Sequence, residues 1–155
     1  MTMKNLVLLF VALTSPALVL CACSDFLSIL QDEPSGLSPC PCTASQARGD
    51  SNFDESNYGI STNHPGAASC YRSASPSSSG SGQQCCYRSS GSIIVGPPGG
   101  GTADRYSPAS IWSTAQHWRY DVRPWNACCK DQLNSANCWT YYRYRPSDSC
   151  SGYSG

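Results

Sequence analysis

The chain has 155 residues, ten basic and ten acidic side chains that cancel to zero net charge, and eleven cysteines. Balanced charge of this kind excludes a nucleic-acid binder, whose electrostatic footprint is strongly basic. No segment after residue 20 is apolar for long enough to span a membrane, and the cysteine content points to an oxidising compartment and a disulfide framework.

The chain opens with Met1-Thr-Met-Lys4 and an apolar stretch from Leu6 to Leu20, the pattern of a secretory signal peptide. That stretch is too short for a membrane span, which needs about 20 apolar residues. Parity suggests where the leader ends. From Cys40 onward there are nine cysteines, an odd number, and keeping Cys23 makes ten, enough for five bridges. Cleavage after Cys21 or Ala22 is therefore expected. Leu20-Cys21-Ala22-Cys23 also resembles a bacterial lipoprotein box, but the downstream cysteine pattern is of animal extracellular type. The expected organisation is a signal peptide (1–22), an entry segment (23–39), one domain (40–150) and a short tail (151–155).

In the entry segment Phe26, Leu27, Ile29 and Leu30 are expected to pack as one helical turn before Pro34. From Pro41, the run Pro-Cys-Thr-Ala-Ser-Gln-Ala-Arg suits a short helix, because proline near the first turn loses no needed hydrogen bond. Ser73–Gly82 and Gly96–Gly101 are rich in Ser, Gly and Pro and are expected to be mobile loops. Between them, Cys85-Cys86-Tyr-Arg, a turn at Ser89-Ser-Gly91, and Ser-Ile-Ile-Val95 read as a β-hairpin. Ile111, Trp112, Ala115, Trp118 and Val122 approximate one helical face, with Pro124 ending or bending that helix; the four tryptophans are expected to divide between core and surface. A last helix is expected over 137–144, before Arg145-Pro146.

Past the leader only 13 residues are Leu, Ile, Val or Phe, whereas all four Trp and all nine Tyr lie there. Aromatic rings must then supply much of the buried area, and bridges worth about 2–4 kcal/mol each must supplement it. The ten cysteines Cys23, Cys40, Cys42, Cys70, Cys85, Cys86, Cys128, Cys129, Cys138 and Cys150 form the expected framework. Adjacent cysteines do not readily bridge to each other, so Cys85-Cys86 and Cys128-Cys129 should each tie the chain in two directions. Zinc binding by these thiols is the alternative, disfavoured by the oxidising route. The fold class expected is a small disulfide-rich α+β domain, with short helices, a β-hairpin and extensive irregular structure.

Three further sets of residues carry chemistry. Arg48-Gly49-Asp50 is the tripeptide that integrins read, provided it is exposed in a turn; a helix ending at Gly49 is the plainer explanation of the glycine. His117 and Asp121, at i and i+4, share a helical face and suit either a metal or acid–base pair or a structural bond in an aromatic core. Arg119 with Arg123 and Arg143 with Arg145 are candidates for a sulfated glycan, or for arginines stacking on neighbouring tyrosines. Neither a Gly-x-Ser-x-Gly elbow nor a His-Glu-x-x-His run occurs, so no catalytic residues, cofactor or metal are expected.

Several stretches together resemble the AMOP domain, a cysteine-rich extracellular module of membrane mucins, sushi-domain-containing receptors and isthmins. They are Cys40-Pro-Cys-Thr-Ala-Ser-Gln-Ala-Arg48, His64-Pro-Gly-Ala-Ala-Ser-Cys70-Tyr-Arg-Ser73, Gly80-Ser-Gly-Gln-Gln-Cys85-Cys-Tyr87, Asp104-Arg105, His117-Trp-Arg-Tyr-Asp-Val122, Cys128-Cys129, Cys138 and Arg145-Pro-Ser-Asp-Ser-Cys150. The family pattern carries two more cysteines where this chain has residues 57–63, so one family bridge is absent here. The resemblance implies a secreted binding module in cell adhesion or cell–matrix contact, without enzymatic activity or cofactor. Its partner would be an extracellular protein or cell-surface receptor, with an integrin or a sulfated glycan as candidates and neither nucleic acid nor a membrane span involved. The alternative is a secreted inhibitor or toxin-like effector acting on an extracellular enzyme or receptor.

Overall fold

The computed structural model describes residues 21–155, so the expected leader, up to residue 20, lies outside the described residues. Strands β1 (Phe53–Glu55), β2 (Ser69–Ser73), β3 (Gly82–Tyr87) and β4 (Ala103–Asp104) form one antiparallel sheet in chain order. Around it lie α1 (Leu27–Leu30), preceded by a 3-10 turn (Cys23–Phe26), then α2 (Ala44–Gly49), α3 (Ile60–Asn63), α4 (Ile111–His117), α5 (Arg123–Cys128) and α6 (Ala136–Tyr144). The domain is a disulfide-rich α+β fold of short elements.

Five bridges hold it: Cys23–Cys128, Cys40–Cys85, Cys42–Cys150, Cys70–Cys86 and Cys129–Cys138. Each adjacent pair sends its bridges to two different places. On β3 this follows from strand geometry, since successive side chains leave on opposite faces. Cys86 meets its register partner Cys70 on β2, and Cys85 reaches Cys40. Cys21 alone stays unbridged, exposed at the edge of the described chain.

Two cores form, each built from cystine and aromatic rings. One gathers Leu30, Trp125, Tyr141 and Tyr142 around Cys23, Cys128, Cys129 and Cys138; the other gathers Phe53, Tyr71 and Tyr87 around Cys40 and Cys85. β3 is paired on both sides, by β2 and β4, and every one of its residues is buried. Tyr87 illustrates how a buried ring is satisfied: its hydroxyl donates to the Pro41 carbonyl at 2.7 Å.

Four local expectations need correction. The turn at Ser89–Gly91 exists, with Arg88 N–H donating to Ser92 O, but its second arm is reduced to a bridge between Tyr87 and Ile93. The principal hairpin is β2–β3 instead, because Pro97 and Pro98 cannot donate to a ladder and draw the chain away. The helix foreseen from Pro41 begins later, at Ala44. Thr43 caps it by accepting from Gln46 N–H, while the Gln46 side chain accepts from Thr43 N–H.

The Ser/Gly segments are held rather than loose. Ser77 and Ser79 hydroxyls both donate to the Ser35 carbonyl, at 2.8 and 2.9 Å, and Ser81 donates to Arg105 O. Gly99, Gly100 and Gly101 are buried, and a Cβ on Gly101 would run into the Gln84 carbonyl. Glycine is there for close backbone approach, not for mobility.

Residues 111–128 make a longer helical run than expected. A π-helical turn (Trp118–Val122) joins α4 to α5, with Arg123 N–H donating to Trp118 O. Pro124 does not end the run; it sits in the first turn of α5, where its missing N–H is tolerated. The apolar face of this run lies largely in solvent, with Ile111 87%, Trp112 83% and Trp118 55% exposed and Val122 half-buried. His117 and Asp121 point inward instead.

Candidate functional site: a cavity floored by paired charges

Ser110 caps α4 by accepting from Ser113 N–H at 3.2 Å, which sets the entry of the helical run. One turn on, the i, i+4 spacing brings His117 and Asp121 to the same inward face. His117 Nδ1 lies 3.0 Å from the Tyr106 carbonyl and 3.4 Å from Asp121 Oδ2. A carbonyl can only accept, so Nδ1 carries the proton. Asp121 accepts in turn from Arg105 N–H (2.8 Å), Tyr106 N–H (3.1 Å) and Arg145 Nε (2.7 Å).

Arg145 is fully buried. Its Nη1 donates to the Leu30 and Tyr144 carbonyls and its Nη2 to Tyr120 O at 3.3 Å. Pro124, four residues on, has no N–H to offer the Tyr120 carbonyl in an α-helical bond. A proline in the sequence thus prepares an acceptor for an arginine from α6's end. Arg145 is therefore unavailable to a sulfated glycan, and the Arg143/Arg145 pair does not form a surface. Arg119 lies over the Tyr120 ring, and Arg123 over Phe26 and Trp118.

A second pair stands beside the first. Asp104, at the end of β4, accepts from Thr102 Oγ1 at 3.0 Å through Oδ1, and its Oδ2 lies 3.3 Å from Arg72 Nη2 on β2. Neither Asp104 Oδ2 nor Arg72 Nε has a hydrogen-bond partner, though both are buried. Nearby, buried His64 donates from Nδ1 to the Gly100 carbonyl at 2.8 Å, and Tyr142 OH donates to the same carbonyl. His64, Arg72, Thr102 and Asp104, with His117 and Asp121, line a cavity of about 460 Å³ whose other walls include Tyr58, Pro108, Trp118, Val122, Trp125 and Tyr141.

Burial pushes the His64 pKa down; the Gly100 carbonyl and Asp104 oppose the shift and Arg72 adds to it. Burial alone would push Asp121 up, but the His117 bond, the Arg145 charge and the Arg105 N–H together hold it below the usual carboxylate range. Both folded-state values lie under the unfolded ones, so on acidification the unfolded chain takes up the proton first and stability falls. For His64 the loss begins near pH 6.5, for Asp121 only below about pH 4. The urea midpoint of the oxidised protein should therefore decline between pH 7.5 and 5.5 more steeply than that of His64→Gln. Parallel profiles for the two proteins would refute this.

Asp104, His117 and Asp121 present three atoms within 4.8 Å of one another, the donor types of a divalent-metal site. The surroundings oppose that reading. His117 Nδ1 is protonated toward Tyr106 O, and each carboxylate already faces a guanidinium, Arg72 or Arg145. The cluster is a hydrogen-bonded ion-pair network.

The Arg48-Gly49-Asp50 tripeptide sits elsewhere, at the end of α2. Arg48 and Gly49 are exposed, but the Asp50 carboxylate accepts from Asn52 N–H and Asn52 Nδ2, both at 2.9 Å, and from Tyr153 OH at 3.2 Å. Gly49 has no left-handed φ. The cysteines make disulfides, not a zinc site.

The AMOP domain family model matches residues 23–154. The chain belongs to the AMOP family. The match takes in the entry segment and most of the tail as well as 40–150, and the fold supplies the reason: Cys23 is bridged to Cys128, and Leu30 lies in the core. This AMOP chain is similar to human Sushi domain-containing protein 2, 38% identical over 136 residues covering 76% of this chain and 16% of that protein. It is also similar to Protein mesh of Bombyx mori, 32% identical over 133 residues covering 74% of this chain and 8% of the relative. The chain thus spans a small part of the relatives it matches. No solved structure matches it. AMOP domain proteins are adhesion-related and extracellular, and among the described residues no helix is long and apolar enough to cross a membrane.

Of the site, the i, i+4 spacing picks out His117 and Asp121 in the sequence; it does not point to His64, Arg72, Asp104 or Arg145 as their neighbours. The signal was present in Asp104-Arg105 and Arg145-Pro146, stretches shared with the family, but no spacing rule links charges this far apart along the chain.

Proposed function

We propose that this protein is a secreted binding module, not an enzyme, that works in cell adhesion or cell–matrix contact by presenting a rigid surface to an extracellular protein or cell-surface receptor. The observation that carries the reading is the outward ridge of α4 and the π turn, where Ile111, Trp112 and Trp118 stand in solvent. The helical run behind them is anchored at its far end by Cys23–Cys128 and Cys129–Cys138. Large aromatic side chains on a pre-ordered frame give contact area at low entropic cost, and aromatic residues dominate contact energies. This ridge, rather than Arg48-Gly49-Asp50 with its engaged carboxylate, is taken as the contact surface.

The test is attachment of cells to the immobilised mature protein. The double variant Ile111→Ser, Trp112→Ser should keep the near-UV circular dichroism of the parent, since both side chains lie outside the cores. It should require at least about tenfold more coated protein for equal attachment, the loss expected for removing a contact hot spot of 1.4 kcal/mol or more. Equal attachment by parent and variant would overturn the reading, and selective loss with Asp50→Glu would transfer the role to the tripeptide.

A further inference from the structure

We propose that the cavity behind Trp118 binds a neutral saccharide residue, with one sugar hydroxyl seated between Asp104 Oδ2 and Arg72 Nε. The inference rests on the reading of the protein as a binding module and names a ligand for a cavity that shares Trp118 with the outer ridge but not Ile111 or Trp112. Four features of the cavity lead to it.

Size and lining come first. At about 460 Å³ the cavity lies in the range of small-ligand sites, and it combines aromatic walls with a few placed polar groups. The second feature is a pair of unmet hydrogen-bonding groups. Asp104 Oδ2, though ion-paired, makes no hydrogen bond, and Arg72 Nε is a buried donor without an acceptor. Arg72 Nη2 already stands 3.3 Å from Asp104 Oδ2, and in a guanidinium the Nε–H and one Nη2–H share an edge. The two unmet groups are therefore neighbours. A buried polar group left unpaired is costly, so each calls for a partner.

Third, the charges already match. Asp104 faces Arg72 and Asp121 faces Arg145. A divalent cation, an ammonium or a sulfate would leave one charge uncompensated in a buried setting, which is strongly unfavourable. The group required is neutral and must donate to a carboxylate while accepting from a guanidinium. A hydroxyl does both through one oxygen.

Fourth, the rim suits the body of a sugar. Trp118 and Tyr58 stand at the mouth as exposed rings, and Trp125 and Tyr141 line the interior. A pyranose offers an apolar C–H face to such rings and hydroxyls at its edge; Asn63, Thr114 and Ser56 supply further polar contacts around the opening. Aromatic faces carry negative charge density that favours C–H hydrogens.

The experiment is saturation-transfer NMR and isothermal titration on the oxidised mature protein, with a panel of neutral methyl glycosides, a sulfated heparin disaccharide and propionamide. At least one glycoside should bind with its transferred signal at adjacent ring hydrogens, and the sulfated disaccharide should not compete with it. Trp118→Ala, at an exposed position, should fold normally and weaken that glycoside about tenfold. Asp104→Asn should weaken it by a further factor of ten or more, as expected for a bond to a charged group; Arg72→Gln gives the same loss from the donor side if the Asn variant does not fold. The proposal is overturned if no glycoside binds at millimolar concentration, if binding survives in all three variants, or if propionamide binds in place of the sugars. Cell attachment through Ile111 and Trp112 is read separately, so failure here leaves that result standing, and the reverse.

Discussion

Reduction of the five disulfides is expected to abolish the cooperative fold at neutral pH and ambient temperature. Domains of this size are stable by only about 5–15 kcal/mol, while each bridge contributes about 2–4 kcal/mol. The long-range bridges matter most: Cys23–Cys128 and Cys42–Cys150 close loops of 105 and 108 residues, for which the chain-entropy account gives about 4.7 kcal/mol each. The cores cannot compensate. They hold few aliphatic side chains, and the rings around them pack against the cystines themselves. Near-UV circular dichroism and amide exchange, followed while a phosphine reductant is titrated, should show complete loss of fixed tertiary structure. Retention of the oxidised spectrum in strong reductant would refute the claim that sulfur holds this domain together.

Arg145→Ala should be the most damaging single substitution outside the cysteines, lowering the stability of the oxidised protein by about 3–5 kcal/mol, the cost of leaving a buried charge uncompensated. The guanidinium does more than neutralise Asp121. Through Nη1 and Nη2 it joins the carbonyl ends of α1 and α6 to the π turn, at Leu30, Tyr144 and Tyr120. Lysine cannot reproduce this, since an ammonium lacks the planar fork that reaches several acceptors at once. Arg145→Lys should therefore lie much closer to Arg145→Ala than to the parent. Asp121→Asn alone should also be damaging. The double variant Arg145→Ala, Asp121→Asn should cost less than the two single changes added, because one change removes the charge that the other leaves stranded. Urea unfolding with the bridges intact measures all four, and strict additivity would show that the pair is not coupled.

The two results would separate two kinds of support. Reduction acts largely through the unfolded chain, by restoring its freedom; the arginine substitution acts in the native state, by orphaning groups that the fold has removed from water.

Much of the fold was legible in the sequence. Adjacent cysteines do not readily bridge to each other, so the divergent paths of Cys85 and Cys86, and of Cys128 and Cys129, follow from covalent geometry. The short helices near residues 27–30 and 137–144 are also readable, the first from clustered apolar residues and the second from the stop at Arg145-Pro146. The loops were misread, because serine and glycine describe what a segment cannot place in a core and not what its backbone can bond to. Ser77 and Ser79 fasten to Ser35, and the Gly100 carbonyl receives both His64 and Tyr142.

By itself the sequence determined the means of stabilisation and the family: many cysteines with few aliphatic residues require bridges and rings, whatever the topology. Only the tertiary structure decided which side of residues 111–128 faces inward. Helical period identifies faces but does not rank them, and hydrophobicity ranks them wrongly when Ile111, Trp112 and Trp118 stand against His117 and Asp121. The polar side wins because its partners, Arg72, Asp104, Arg105 and Arg145, arrive from distant parts of the chain. Their charges and hydrogen bonds exist only once β2, β4 and α6 have been brought together.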